Sequence, residues 1–226
     1  MRRLLLPILS LVVLAVAQTS QLQAQPEGLA ARITEARKAN AALMKQYSWQ
    51  SRTELIDKEK VADTRIEAVS YGPNGQLQRT LLNDESAPLP GGFLRRRIAE
   101  KEKEKVEKYL VGLRQLLDQY TLPTQGKVLD FVSGASLQAP DANGVLQLTG
   151  SSVVVPGDTL ALSVLATTRQ TRKAVITTTY EGDPVTATAT FKTLPSGLTH
   201  LEFGEVDVPG KEMKLQLHNF NFNQNN

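Results

Sequence analysis

The 226-residue chain has no cysteine and only two histidines, and aromatic residues make up 5% of it. Without cysteine it can form no disulfide, so its fold has to depend on a buried core. Two histidines are too few ligands for a structural zinc site. The catalytic motifs G-x-S-x-G, S-x-x-K and H-E-x-x-H and the phosphate-binding glycine loops are also missing. We therefore expect no metal, no cofactor and no enzymatic activity, with a hydrolase site of unfamiliar pattern as a remaining alternative.

A long apolar run occurs only at the start of the chain. Arg2 and Arg3 precede an uncharged stretch over residues 4–17, which small and polar residues follow. This order is typical of a secretory signal peptide and is too short to span a bilayer comfortably. We expect a signal peptide over residues 1–17, with cleavage after Ala17 or as late as Ala24, and a soluble periplasmic protein. A retained N-terminal anchor is the alternative.

The charge balance argues against a nucleic-acid partner. Taking the two arginines of the predicted signal from 26 basic residues leaves 24, against 23 acidic residues. Because basic and acidic residues are so nearly equal in number, the composition does not indicate a strongly basic face of the kind that binds nucleic acid. We expect one domain over residues 25–222, a frayed tail over residues 223–226, and a monomer.

The spacing of apolar residues predicts an α+β fold. A period of three to four predicts helices, and alternation predicts strands separated by Gly, Pro and Asn turns. The helices are expected over residues 27–45, 92–120 and 127–137. The strands are expected over residues 47–56, 61–71, 76–83, 145–155, 160–167, 173–180, 185–193, 198–203 and 212–222. This order predicts a curved antiparallel β-sheet, an open half-barrel, with helices covering its concave face.

Charge pairing suggests a register for the first hairpin. Placing Arg52 opposite Glu67 also places Glu54 opposite Arg65, and opposite charges across a ladder stabilise it modestly. This register would put Trp49, Leu55, Ile66 and Ala68 together on the apolar face. In the second hairpin, Asn74-Gly75 predicts a two-residue loop that sets Arg79 opposite Ser70.

The remaining chemistry-bearing residues give weak signals. His200 and His218 alternate with apolar neighbours and are expected on a polar, solvent-facing side. Glu202, Glu205 and Asp207 lie near a turn where carboxylates could bind calcium, but acids at strand ends are expected to be solvated. We therefore expect no metal site.

Three segments resemble the outer-membrane lipoprotein-carrier (LolA-like) superfamily. They are YSWQSRTEL from Tyr47, VSYGPNGQLQRTLL from Val69, and DTLALSVLATTRQTRKAVITTTYEGDPVTATATF from Asp158, where residues 167–173 are similar to a strand end of the family. The resemblance implies a curved sheet covered by helices. It also implies that acyl chains or hydrophobic peptides bind in the cleft below the sheet, without catalysis.

We therefore expect a carrier that holds an apolar ligand between sheet and helices. An envelope module that recognises a protein partner is the alternative. The candidate ligand-cleft residues are Trp49, Ile66, Arg79, Leu81, Ile176 and Phe191. Arg79 is expected either to extend to the edge of the sheet or to bind an anionic headgroup at the cleft mouth.

Overall fold

The computed structural model describes residues 26–84, 93–122, 124–168 and 170–225. The predicted signal peptide and Arg169 lie outside these ranges. The helices are α1 (Pro26–Met44), α2 (Phe93–Gln119) and α3 (Gln125–Gly134), and a 3-10 turn covers Pro209–Lys211. The strands are β1 (Tyr47–Asp57), β2 (Lys60–Tyr71), β3 (Leu77–Asp84), β4 (Ser136–Gln138), β5 (Val145–Ser151), β6 (Thr159–Leu165), β7 (Thr171–Tyr180), β8 (Asp183–Thr193), β9 (Thr199–Val208) and β10 (Met213–Gln224).

The described strands form one antiparallel sheet in the order β3-β2-β1-β10-β9-β8-β7-β6-β5-β4. Consecutive strands pair with each other except β3 and β4, and β10 pairs back with β1. Strands β3 and β4 lie at the two edges, so the sheet stays open. The predicted α+β fold with an open curved sheet is confirmed. None of the helices in the described ranges is long and apolar enough to span a membrane.

Two apolar clusters attach the helices to the same face of the sheet, here called the concave face. In the first cluster, α1 and α3 pack on β5, β6 and β7 through residues such as Leu29, Phe131, Leu148 and Leu160. In the second cluster, the C-terminal half of α2 packs near the 3-10 turn, where Leu113 meets residues of β8, β9 and β10. The helices therefore cover the concave face in two separate places.

A buried carboxylate closes the loop between β5 and β6. Asp158 is 1% exposed, and its oxygens accept hydrogen bonds from the amides of Val153, Val154 and Val155 at 2.5, 2.9 and 2.7 Å. The hydroxyl of Tyr120 also donates to it at 2.6 Å. Burial alone would raise the pKa of Asp158, but these hydrogen bonds outweigh it and hold that pKa below its ordinary value. The bonds end β5 at Ser151, four residues before the predicted end.

The predicted register of the first hairpin is wrong. Lys58 and Glu59 both have positive φ angles, 48° and 63°, and form a two-residue turn that pairs Asp57 with Lys60. A bulge after Leu55 then shifts the ladder by one residue. As a consequence, Arg52 lies opposite Ile66, while Glu67 lies opposite Ser51.

The second hairpin also differs from its prediction. The amide of Gly75 donates to the Gly72 carbonyl at 2.8 Å, and the amide of Gly72 donates to Gln76 at 2.9 Å. The loop therefore contains three residues and ends in Gly75, whose φ is 73°. Arg79 lies opposite Val69 and not opposite Ser70.

Two further predictions, for the C-terminal tail and for the third helix, also need correction. The predicted frayed tail is paired, because Gln224 and Asn223 lie opposite Tyr47 and Ser48 and the amide of Asn225 donates to the Gln46 carbonyl at 2.7 Å. Backbone pairing outweighs the polar composition there. The third helix ends at Gly134, and the short strand β4 takes up the last residues that had been predicted as helical.

Candidate functional site

An apolar strip crosses the concave face between the two clusters, and we call it the central trough. It is formed on β8, β9 and β10 by Ala189, Phe191, Leu201, Gly204, Leu215 and Leu217. The ladder sets Gly204 between Ala189 and Leu217. All six residues are half-buried, whereas the two clusters contain fully buried side chains. The trough is therefore apolar surface that the helices cover only in part.

Gly204 forms part of the floor of the trough and leaves room above it. A Cβ placed there would meet its nearest atoms, on Leu201 and Leu217, at 3.8 and 3.9 Å, which is ordinary van der Waals contact. Where a helix lies directly on a side chain the situation is opposite, since a Cβ at Gly112 of α2 would overlap Tyr180. A small side chain could therefore replace Gly204 without a clash.

Polar contacts fix the helix ends around the trough. In α1, the Asn40 amide group donates to the Thr199 carbonyl and accepts from the Thr199 amide, both at 2.7 Å. Arg37 donates to the carbonyls of Thr121 and Leu122 after α2, at 2.9 and 3.1 Å. These bonds hold α1 both to the start of β9 and to the end of α2.

A second set of contacts attaches α2 to the β7–β8 hairpin. The Tyr109 hydroxyl lies 3.5 Å from Asp183, and Lys211 reaches the same carboxylate at 3.1 Å. Lys211 also lies over the Tyr109 ring, 4.6 Å from its centroid. Burial and the nearby Asp183 raise the pKa of Tyr109 to about 12, so the phenol stays protonated and donates.

Beyond β10, polar side chains also lie on the concave face. Thr53 follows Leu217 in the same row, and Ser51 lies two residues away on β1. On β2 and β3, Glu67 and Arg79 form an ion pair at 2.7 Å, with side chains 18% and 43% exposed. The concave face thus has an apolar centre and, on the β1–β3 wing, an ion pair beside apolar side chains such as Trp49 and Leu81. We call this part of the sheet the charged wing.

An aromatic cluster lies at the end of β1 and β10. Trp49 stacks on Phe222 at 5.5 Å and contacts the Tyr71 ring at 6.2 Å. The His200 ring lies 3.8 Å from that of Phe222. Trp49 is half-buried and is the sole tryptophan of the chain, so it reports on this end of the concave face.

The candidate cleft residues are not all brought together. Phe191 lies in the trough, and Ile176 packs at its border against the first cluster. Trp49, Arg79 and Leu81 share the concave face on the β1–β3 wing. Ile66 points to the convex face because the bulge in the first hairpin reverses its side. Arg79 is paired with Glu67, an ion pair that the predicted registers did not foresee.

The histidine predictions have different outcomes. His218 is exposed, as expected, but His200 is 4% exposed and its Nδ1 lies 3.1 Å from the Leu201 carbonyl oxygen. Burial lowers the pKa of His200, which favours the neutral ring. In a twisted strand with a bulge beside it, alternation alone does not determine which residue is buried.

The acidic residues near the β9–β10 turn lie on the convex face and have partners there. Glu202 pairs with Lys192 at 3.2 Å and Asp207 with Lys214 at 3.5 Å, while Glu205 accepts from a glutamine of β10. Within the described ranges, no group of His, Cys, Asp and Glu side chains could hold a metal ion.

Two cavities open on the convex face. The larger, of about 690 Å³, is lined by Ile56, Lys58, Glu59, Asp207, Pro209, Glu212 and Lys214. The smaller, of about 160 Å³, is lined by Arg52, Glu54, Phe203, Gln216 and His218. The residues that line the two cavities are mostly charged or polar, so neither cavity suits an apolar ligand. The central trough, whose residues are apolar, is therefore the better candidate for such a ligand.

Comparisons with known proteins give distant structural likenesses. No protein-family model and no curated protein match the chain. A DUF1329 family protein from Desulfovibrio piger ATCC 29098 is similar over 88% of this chain and 91% of its own, with 9% identity and a TM-score of 0.38. The LolA superfamily protein NE2245 from Nitrosomonas europaea is similar over 86% and 94%, with 10% identity and a TM-score of 0.31. Both likenesses are too distant to carry an argument about function, which has to be inferred from this chain's own residues.

Proposed function

We propose that the protein is a non-enzymatic carrier that holds an acyl chain in the central trough. The observation that carries the proposal is the strip of half-buried apolar side chains between the two helix contacts, in which Gly204 could carry a Cβ without a clash. An acyl chain bound on this strip would remove its own apolar surface and that of the strip from water. The free energy gained is about 25 cal/mol per Å² of buried apolar surface, before the entropy cost of ordering the chain is subtracted. Phe191 and Leu217 would form the walls of the site.

We further propose that the carrier works in the periplasm as a monomer. The pattern of residues 1–17 supports export, and an exported binding protein without disulfides suits a chain with no cysteine. Sequencing the N-terminus of protein isolated from the envelope tests this, with Gln18 or Gln25 expected as the first residue.

The central test is to fill the trough. Gly204→Leu introduces its side chain at a position where the Cβ makes only ordinary contacts, and the larger side chain would occupy the ligand's place. Thr188→Leu is the matched control because Thr188 lies on the convex face of the neighbouring strand. Binding of a long-chain monoacylglycerol is followed by the emission of Trp49, and circular dichroism verifies folding.

We expect saturable binding to the wild type and to Thr188→Leu, and an affinity at least about tenfold lower for Gly204→Leu. Equal affinity of all three proteins would move the site away from the trough. If fatty acids, monoacylglycerols, phospholipids and acylated peptides all fail to bind the wild type, the carrier proposal is wrong and the interaction module replaces it.

A further inference from the structure

Ser51 has an unsatisfied buried hydroxyl at the polar end of the trough. The residue is 1% exposed, and its Oγ has no hydrogen-bond partner among the residues that the structure describes. Buried polar side chains nearly always have a partner, because a lost one costs the full desolvation penalty. A hydrogen-bonding group of a ligand would supply the partner that this hydroxyl lacks.

The register shows where this hydroxyl lies. Ser51 pairs with Asn219 on one side and Glu67 on the other, and alternation puts it on the concave face with Thr53. Thr53 in turn pairs with Leu217 of the trough. Ser51 thus lies at the boundary between the apolar strip and the charged wing.

This boundary is where an acyl ligand changes from hydrocarbon to polar group. Glu67 lies directly opposite Ser51, and its cationic partner Arg79 is already engaged at 2.7 Å, so a ligand carboxylate placed there would face an acidic side chain. A neutral carbonyl is not repelled in this way, and its oxygen can accept a hydrogen bond from the Ser51 hydroxyl.

We propose that Ser51 Oγ donates a hydrogen bond to the carbonyl of an ester or amide link, and that the ligand is therefore an acylated molecule and not a free fatty acid. This inference rests on the proposed carrier function. It adds the class of ligand and the atom of the protein that selects it.

The experiment compares ligands with and without the carbonyl. A monoacylglycerol, the alkyl glyceryl ether of equal chain length, an N-acyl dipeptide and the free fatty acid are titrated into the full mature protein. The proteins are the wild type, Ser51→Ala and Ser70→Ala. Ser70 is the matched control because alternation along β2 places its side chain on the convex face.

We expect the wild type and Ser70→Ala to bind the ester about tenfold tighter than the ether, the effect of one buried hydrogen bond. Ser51→Ala should bind ester and ether equally, with its ether affinity unchanged. It should melt no lower than the wild type, since it loses only an unpartnered hydroxyl. Preference for the ester or for the N-acyl dipeptide identifies the source of the carbonyl.

Three results would overturn the inference. The ester preference could persist in Ser51→Ala, the wild type could show none, or the free fatty acid could bind more tightly than the ester. In each case the apolar ligands still bind, so the carrier function stands without this selection. If none of the four ligands binds any protein, both proposals fail together.

Discussion

Replacing Asp158 by asparagine removes the charge that closes the β5–β6 loop. The carboxylate accepts four hydrogen bonds, from Tyr120 and from three successive backbone amides. Asparagine keeps one acceptor oxygen, while its NH₂ group faces donors that need an acceptor. Losing two charge-assisted bonds at about 1.5–3 kcal/mol each lowers the free energy of unfolding by about 3–6 kcal/mol. This is a large share of the 5–15 kcal/mol that is usual for a folded protein.

The assay is urea denaturation followed by circular dichroism, and Asp141→Asn is its control. Asp141 also accepts two backbone amides, from Asn143 and Val145 at 2.8 and 2.9 Å, but it is exposed. There we expect a loss of about 1 kcal/mol or less. Equal losses in the two variants would refute the view that burial makes the Asp158 carboxylate important.

The pH dependence gives an independent check of the same group. Because the pKa of Asp158 is lower in the folded protein, its contribution to stability is fully present above the unfolded pKa of about 3.9. The contribution is lost as pH falls through the folded pKa. The difference in unfolding free energy between wild type and Asp158→Asn should therefore stay constant from pH 7 to pH 5 and shrink in stronger acid.

Three further outcomes are expected. Tyr120→Phe removes the hydroxyl shared by the buried carboxylate and β7, so the unfolding free energy should fall by about 1–2 kcal/mol in urea denaturation. Charge-reversal double-mutant cycles should give a coupling of about 0.5 kcal/mol for Glu67 with Arg79 and none for Glu67 with Arg52, and the opposite result would restore the charge-paired register. Because burial lowers the pKa of His200, the wild type should lose stability as pH falls below about 6.5. His200→Asn should show a flatter melting profile in this range, and an unchanged slope would contradict the buried neutral ring.

Much of the fold could be predicted because apolar spacing follows the elements closely. The helices α1 and α2 and the long strands were found within a few residues, since each has one strongly apolar face. Errors arose where one side chain or one turn decides the geometry. Asp158 ends β5 through three amides, and the bulge beside the Lys58-Glu59 turn shifts a whole ladder. No unusual residue marks either place in the sequence.

The candidate site was harder to predict for the same reason. Phe191 and Ile176 were predicted as cleft residues because they are strongly apolar and lie on the concave face, whereas the bulge places Ile66 on the convex face. Gly204 and Ser51 gave no signal, because a glycine and a serine within a strand look like weak positions and not like a site. The roles proposed for Gly204 and Ser51 depend on the side chains and helices that pack around them, and the sequence alone does not give this packing.

The pairing of β10 with β1 has a consequence for the time at which the protein can fold. Strands β4 to β9 pair only with neighbours in the chain, so they can assemble as synthesis proceeds. The β1–β3 wing has to wait for β10, whose last residues pair with Tyr47 and Ser48 at the far end of the chain. Until β10 is in place, the edge of β1 and the edge of the last strand formed, β8 or β9, stay unpaired and are prone to aggregation. A chain that leaves the ribosome from its N-terminus therefore carries an incomplete sheet until its final strand emerges.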